Sequence, residues 1–166
     1  LEIAMFVAGG GEFGLTFWAA SYIQLNFSST AWGGGLGTAF FAAGMVVGRT
    51  GWGFLLHQRH MCGLIVFSAL GGTLVTLLFP LLTSLWLLFA LLFVAGVASA
   101  PFWPSVQSYS ADCMPKADTT ILFILLSCAG VPGCGVCTWL MGWMGNQWGL
   151  RGAFYVIPAC YIILAG

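Results

Sequence analysis

The amino-acid sequence predicts an all-α membrane protein, and three observations carry this prediction. The first is composition: 60% of the residues are hydrophobic and only 5% are charged, whereas a soluble domain carries about 25% charged residues. The second is length, because 166 residues divide into about six membrane spans of roughly 20 residues each. The third is an internal repeat. Lipid must therefore be the solvent for most of the surface.

The apolar runs give the predicted helices in order. They lie near 2–24, 31–56, 62–81, 85–110, 118–144 and 150–166. The connections are brief, so helices that follow one another should be antiparallel. Arg49, Arg59 and Lys116 lie at or near the second and fourth connections, and Arg151 lies at the opposite side. Because cations are enriched in cytoplasmic connections, both chain ends and the 57–61 connection are predicted to be cytoplasmic, in a plasma or inner membrane.

The repeat relates the second and third helices to the fifth and sixth by a shift of 89 residues. The matched pairs are Gly44 with Gly133, Gly53 with Gly142, Gln58 with Gln147 and Gly63 with Gly152. Three helices separate the copies, so the second copy enters the membrane from the opposite face. The sequence thus predicts a 3+3 inverted repeat in a single domain over 1–166, with triplets over 1–81 and 85–166.

Several stretches carry a resemblance to a known family. They are Gly44-Met-Val-Val-Gly48-Arg49-x-x-x-Gly53-x-Leu55, Ala100-Pro101-Phe102-Trp103-Pro104-Ser105, and Ala129-Gly130-Val-Pro-Gly133 followed by Gly142-Trp-Met-Gly-Asn-Gln-Trp-Gly149. They resemble one six-helix half of a major facilitator superfamily transporter. The segment Gly10-Gly11-Glu12-x-Gly14-x-x-x-Trp18 further resembles the first helix of the C-terminal half in the fucose permease and sodium-dependent glucose transporter branch.

The resemblance implies a function and several partners. We expect the C-terminal half of a secondary active transporter that moves a small polar solute, a sugar, by alternating access with H+ or Na+ coupling. The missing N-terminal half or a second copy would complete the pathway, and the abrupt apolar ends at Leu1 and Gly166 suggest a piece of a longer chain. One departure is that His57 and Gln58 stand where the family has an acidic and then a basic residue. C-terminal halves of the family often carry such a degraded copy of the signature.

Glu12 is the most informative candidate residue. It lies about 10 residues, or roughly 15 Å, into the first helix. An ionisable group at this depth normally faces the bundle interior or a water-filled cavity. Since hydrocarbon disfavours the charged carboxylate, the position suits a group that takes up and releases a proton. The alternative is a neutral Glu that ties helices together, with Thr16 one turn further along.

A second candidate feature is a charge pair. Arg49 lies toward the cytoplasmic end of the second helix, and Asp112 ends the fourth helix on the same side. The family resemblance implies that these ends lie close, so the two charges could latch one conformation. The alternative is an Arg whose long side chain reaches the lipid headgroups and an Asp that caps its connection.

Aromatic and amide residues supply candidate solute ligands. Flat rings stack on sugar C–H groups, and amides and hydroxyls bond sugar hydroxyls, so Trp18, Tyr22, Trp103 and Gln107 are candidates. The alternative is that the aromatic residues belong to the interfacial belt or to helix packing. Asn26 begins a glycosylation sequon on the predicted outer side.

Other function classes find little support in the sequence. The net charge is zero and no Lys/Arg cluster exists, which argues against nucleic-acid binding. No catalytic motif accompanies a loop long enough to present it, so we expect neither an enzyme nor a cofactor. Cys134-x-x-Cys137 has a metal-like spacing but no second ligand pair. The remaining alternative is a transporter-derived interaction or sensing protein that moves no solute.

Overall fold

The structure, a computed structural model, describes residues 1–55 and 61–166. The helices are α1 (Glu2–Phe27), α2 (Ala31–Leu55), α3 (Met61–Leu78), α4 (Leu85–Ser99), α5 (Phe102–Cys113), α6 (Thr119–Trp148), α7 (Leu150–Ala153) and α8 (Val156–Ala165). A 3-10 turn over Phe79–Leu81 ends the third span. These described ranges contain no strand. The predictions that concern His57, Gln58 and Arg59 lie outside the described residues.

Within the described residues, five helical segments are long and apolar enough to cross a membrane. They are Glu2–Phe27, Ala31–Phe54, Met61–Leu81, Leu85–Cys113 and Thr119–Trp148. The segment Leu150–Ala165 is apolar but shorter, about 24 Å at roughly 1.5 Å per residue. The all-α membrane fold is confirmed, with α4 and α5 forming one span and α7 and α8 forming the short sixth segment.

The fourth span is broken, where the sequence predicted one helix over 85–110. α4 ends at Ser99 and α5 begins at Phe102, because Pro101 and Pro104 each lack the N–H that an uninterrupted helix needs. The chain nevertheless stays wound through the break: the Ser105 N–H donates to the Pro101 carbonyl at 2.9 Å. The backbone therefore remains hydrogen-bonded across the break.

The fifth span is longer than predicted. α6 starts beside Asp118, whose carboxylate accepts hydrogen bonds from the N–H groups of Thr120 and Ile121 at 2.8 and 3.2 Å. It continues to Trp148, so the predicted 145–149 connection shrinks to Gly149. Gly149 has φ 81°, a left-handed value that glycine adopts without steric cost, and this lets the chain reverse in one residue.

Two helix pairs make the most extensive contacts: α1 with α6, and α2 with α4. A Cβ placed on Gly133 of α6 would overlap the Phe6 carbonyl of α1. In the other pair, a Cβ on Gly44 of α2 would overlap the Phe93 carbonyl of α4. Gly44 and Gly133 are the residues that the 89-residue shift superimposes. The two carbonyls come from phenylalanines 87 residues apart, so the crossings are equivalent.

A second set of close contacts is related by the same shifts of 87 and 89 residues. Gly9 of α1 lies against the Gly130 carbonyl, and Gly96 of α4 lies against the Phe41 carbonyl. Gly9 and Gly96 are 87 residues apart, and Phe41 and Gly130 are 89 apart. Small residues allow helix backbones to approach closely in membranes. The repeat is therefore expressed in backbone contacts as well as in sequence.

The α1–α6 pair and the α2–α4 pair cross the bundle in opposite directions. Along α1 and α6 the contacts advance together, from Gly9 with Gly130 to Gly14 with Met141. For α2 and α4 they advance from Gly37 with Phe89 to Gly48 with Ala100. Each pair is thus parallel. Only residues 28–30 separate α1 from α2, which run antiparallel, so one crossing is the inverted copy of the other.

Candidate functional site

The site is centred on an ion pair between α1 and α2. Glu12 is buried, with 8% of its surface exposed, and its Oε1 lies 3.3 Å from an Nη of Arg49. The second carboxylate oxygen, Oε2, is buried and has no hydrogen-bond partner among the described residues. The Thr16 hydroxyl donates to the Glu12 backbone carbonyl at 2.9 Å. It therefore does not satisfy Oε2 of the carboxylate.

The two charges of this pair lie in different environments. The Arg49 side chain is 53% exposed, and the Glu12 side chain is 11% exposed. Arg49 lines a cavity of about 310 Å³ between α2, α3 and the α4–α5 break. The structure thus brings Arg49 to Glu12. Asp112 lies exposed in the last turn of α5, and its latch with Arg49 stays a prediction.

The glycine run before Glu12 lets two other helices reach this part of α1. A Cβ on Gly9 would lie 3.0 Å from the Cys134 Sγ of α6, and one on Gly11 would overlap the Tyr161 ring of α8. The Tyr161 hydroxyl in turn lies 2.7 Å from the Ser99 hydroxyl of α4. Sequence reasoning missed Tyr161, because no local pattern distinguishes it from other aromatic residues in an apolar helix.

Trp18 lies in the second half of α1. Its Nε1–H donates to the Thr138 carbonyl at 3.1 Å, and its ring covers Gly142 of α6. Trp18, Asn26 and Asn146 line a cavity of about 420 Å³. An indole and two amides are thus brought to one opening, and Asn26 belongs to it as well as to the sequon.

Trp103 and Gln107 lie one turn apart on α5. The Trp103 ring packs on Gly130 of α6, where a Cβ would lie 2.7 Å from the ring. Its Nε1 is buried without a hydrogen-bond partner in the described part of the chain. Gln107 is half-buried. Because a buried N–H without an acceptor is costly, the Trp103 indole is an unsatisfied donor in this conformation.

Tyr22 belongs to the core of the bundle. It is 1% exposed, and its hydroxyl donates to the Phe79 carbonyl at 2.9 Å. Its ring centroid lies 4.2 Å from that of Phe154. In this conformation Tyr22 holds α1 against the third span and α7, so its predicted role as a solute ligand requires a different arrangement.

The cysteines form no metal centre in the described ranges, where no group of three or more potential His, Cys, Asp or Glu ligands occurs. Cys137 and Cys160 are buried with their sulfur atoms 3.8 Å apart. Cys134 instead donates to the Gly130 carbonyl at 3.3 Å. The Cys134-x-x-Cys137 spacing therefore serves helix packing between α1, α6 and α8.

The fold and site define a multi-pass integral membrane protein built from an inverted helical repeat, with a buried carboxylate paired to a half-exposed arginine. A family model of the Major Facilitator Superfamily matches residues 1–166, and the chain belongs to this family. This confirms the superfamily that the sequence motifs resemble. The narrower resemblance to the fucose permease branch stays a prediction.

The chain is also similar to a curated protein. It is 29% identical over 116 residues to "Multidrug resistance protein MdtG" of Serratia proteamaculans (strain 568). The match covers 68% of this chain and 28% of the relative, so the chain spans less than a third of that protein's length. No solved structure matches.

Proposed function

We propose that this chain is one half of a secondary active transporter that moves a small polar solute by alternating access. The observation that carries the proposal is the buried Glu12 carboxylate, which lies well inside the membrane-spanning helix α1 and pairs with Arg49 of α2. Ionisable residues at this depth are costly, and they mark solute or ion pathways in membrane proteins. The family supports the same function. The other half, or a second copy, completes the pathway.

Glu12 is the proposed coupling group. Its Oε2 has no partner among the described residues, so it can accept a proton or contact a sodium ion or a solute hydroxyl. Loss of the carboxylate charge weakens the bond to Arg49 and frees α1 from α2 at this point. Occupancy of Glu12 thereby changes the contact between two helices, which is the differential interaction that alternating access requires.

A sugar is the proposed solute. Trp103 has an unused indole N–H, and Gln107 and Trp18 add an amide and a second ring. Rings and amides of this kind suit a ligand with apolar C–H faces and many hydroxyls. The resemblance of the first helix to the fucose permease and sodium-dependent glucose transporter branch supports the same class.

Uptake in proteoliposomes tests the function. The intact protein should accumulate radiolabelled fucose or glucose when a proton or sodium gradient is imposed. Glu12→Gln should abolish the dependence on the gradient, because the amide cannot exchange a proton and is a poorer ion ligand. Glu2→Gln, on the exposed first turn of the same helix, should transport as the wild type does. Equal gradient dependence in wild type and Glu12→Gln would remove Glu12 from the mechanism.

A second candidate follows from the relative. Its name assigns it to multidrug resistance, and a drug-exporting half would move larger and more apolar molecules than a sugar. The same proteoliposomes distinguish the two, since export of a fluorescent amphipathic dye without sugar uptake would favour this candidate. Failure of both assays would favour the transporter-derived interaction or sensing protein.

A further inference from the structure

The cavity beside Arg49 is enclosed by three parts of the bundle. α2 contributes Arg49, Trp52 and Gly53, α3 contributes Leu64, and α5 contributes Ser105 and Ser108. The broken fourth span opens this space, since Pro101 and Pro104 also lie on its wall. At about 310 Å³ the cavity lies at the lower end of the range of about 300–1,000 Å³ for small-molecule pockets.

Arg49 gives the cavity a positive charge with unused hydrogen-bond capacity. A guanidinium carries five N–H donors, and the described residues engage Arg49 through a single contact with Glu12 at 3.3 Å. No other charged side chain is among the described residues that line the cavity. Glu12 contacts Arg49 from outside the lining, and Asp112 lies one turn beyond Ser108 on α5, also outside the lining.

The other walls suit the body of a small organic ligand. Trp52 donates its indole N–H to the Val97 carbonyl at 3.2 Å, so it presents only ring carbons. Leu64 is buried and adds an aliphatic surface. Ser105 and Ser108 supply hydroxyl groups on the side of the cavity formed by α5. An apolar pocket with one cation and two hydroxyls matches a compact anion with an apolar portion.

We propose that this cavity is a binding site for a singly charged anionic group, a carboxylate or a phosphodiester, held by Arg49 with Ser105 and Ser108. Guanidinium groups bind both anions through paired, charge-assisted hydrogen bonds. Glu12 remains on the other side of Arg49, so the anion and Glu12 share one cation. The inference concerns binding and does not depend on the proposed transport of a sugar.

The anionic group has two possible sources: a small organic acid from solution, or the headgroup of an anionic lipid. Both offer oxygens to Arg49. They differ in how the ligand reaches the protein, so the lipid composition around the protein separates them.

Two glycines of α2 provide a matched test. A Cβ on Gly53 or on Gly51 would meet nothing within 4 Å, so either position accepts a larger side chain. Gly53 lines the cavity and Gly51 does not. Gly53→Leu should fill the cavity while keeping the Glu12–Arg49 pair, and Gly51→Leu makes the same chemical change on another face of the helix.

The experiment measures equilibrium binding of benzoate to the intact protein in phosphatidylcholine nanodiscs, with benzyl alcohol as the neutral probe of similar shape. Wild type and Gly51→Leu should bind benzoate equally, and benzyl alcohol should bind at least about tenfold more weakly because it lacks the charge. Gly53→Leu and Arg49→Gln should each weaken benzoate binding by at least about tenfold.

Phosphatidylglycerol nanodiscs identify the source. If lipid is the ligand, phosphatidylglycerol should suppress benzoate binding to wild type, and native mass spectrometry should show lipid retained by Gly51→Leu and lost from Gly53→Leu. If a soluble acid is the ligand, benzoate should bind equally in both lipids. The proposal is overturned if benzyl alcohol binds as well as benzoate, or if Gly53→Leu retains wild-type binding of both benzoate and phosphatidylglycerol.

Discussion

At the scale of single residues, the Glu12–Arg49 pair is unequal. Glu12 is almost fully buried, whereas about half of the Arg49 side chain is exposed. An exposed cation loses little when its partner is removed, but a buried carboxylate without a counter-charge is strongly unfavourable. The pair therefore matters mainly because it makes the charge on Glu12 tolerable inside the bundle.

This asymmetry predicts different costs for the two single substitutions. Arg49→Gln should lower the free energy of unfolding by about 1–3 kcal/mol, because it leaves Glu12 buried and unpaired. Glu12→Gln should cost less than about 1 kcal/mol, because Arg49 can turn to water. Unfolding by SDS in mixed micelles measures both, with Arg151→Gln, an exposed cation on α7, as the control.

The effect of pH on the free energy of unfolding tests whether the cost of Arg49→Gln comes from the unpaired charge on Glu12. At acidic pH, where the Glu12 carboxyl is protonated, there is no unpaired charge, so the deficit of Arg49→Gln should shrink as pH falls. The double variant Glu12→Gln/Arg49→Gln should lack the deficit at neutral pH. A deficit of Arg49→Gln that is the same at every pH would show that Arg49 stabilises the protein through packing alone.

At the scale of helices, glycine sets the distance between the two closest pairs. Gly133 of α6 meets the Phe6 carbonyl, and Gly44 of α2 meets the Phe93 carbonyl. A side chain at either position would push a backbone away, since a carbonyl cannot rotate aside as a flexible side chain can. The same crossing is thus built twice, by residues that the repeat relates.

Alanine at these two positions should destabilise the protein to a similar extent. Gly133→Ala and Gly44→Ala should each lower the free energy of unfolding by about 1–3 kcal/mol through overpacking. Gly135→Ala in α6 and Gly51→Ala in α2 are matched controls, because a Cβ there meets nothing within 4 Å. The controls should be neutral or slightly stabilising, since Ala favours a helix over Gly. A tolerated Gly133→Ala would mean that α1 and α6 lie further apart than described.

At the scale of the whole molecule, composition and periodic spacing predicted most of the fold. Charge depletion predicted a membrane protein because lipid tolerates few charges, and the 89-residue shift predicted the equivalence of α2 and α6. α1 and α4 are related by a shift of 87 residues and not by the shift of 89. The sequence alone did not reveal this second shift, because it becomes visible only when Gly9 and Gly96 are seen at equivalent helix crossings. The helix predicted over 85–110 ran through Pro101, whereas α4 ends at Ser99 and α5 begins at Phe102.

The site was predicted less completely than the fold. Glu12 was identified by the cost of an ionisable group in an apolar helix, a local property, and Arg49 as one partner of a charge pair with Asp112. The pairing of Glu12 with Arg49 depends on how α1 and α2 rotate about their axes, which local patterns do not encode. For the same reason the sequence did not distinguish Tyr22, which packs in the core, from Trp103, whose indole N–H has no partner in the described part of the chain.

The central claim is that six spans form two inverted triplets, and its weakest element is the short segment Leu150–Ala165. Its crossing can be tested by labelling single cysteines with a membrane-impermeant maleimide in intact vesicles, in a background with the six native cysteines replaced. Introduced at Ser29, Ala117, Gln147 and Gly166, they should label as two groups: Ser29 with Gln147 on one side, and Ala117 with Gly166 on the other. Labelling of Gly166 on the same side as Gln147 would mean five spans, and would contradict the inverted repeat.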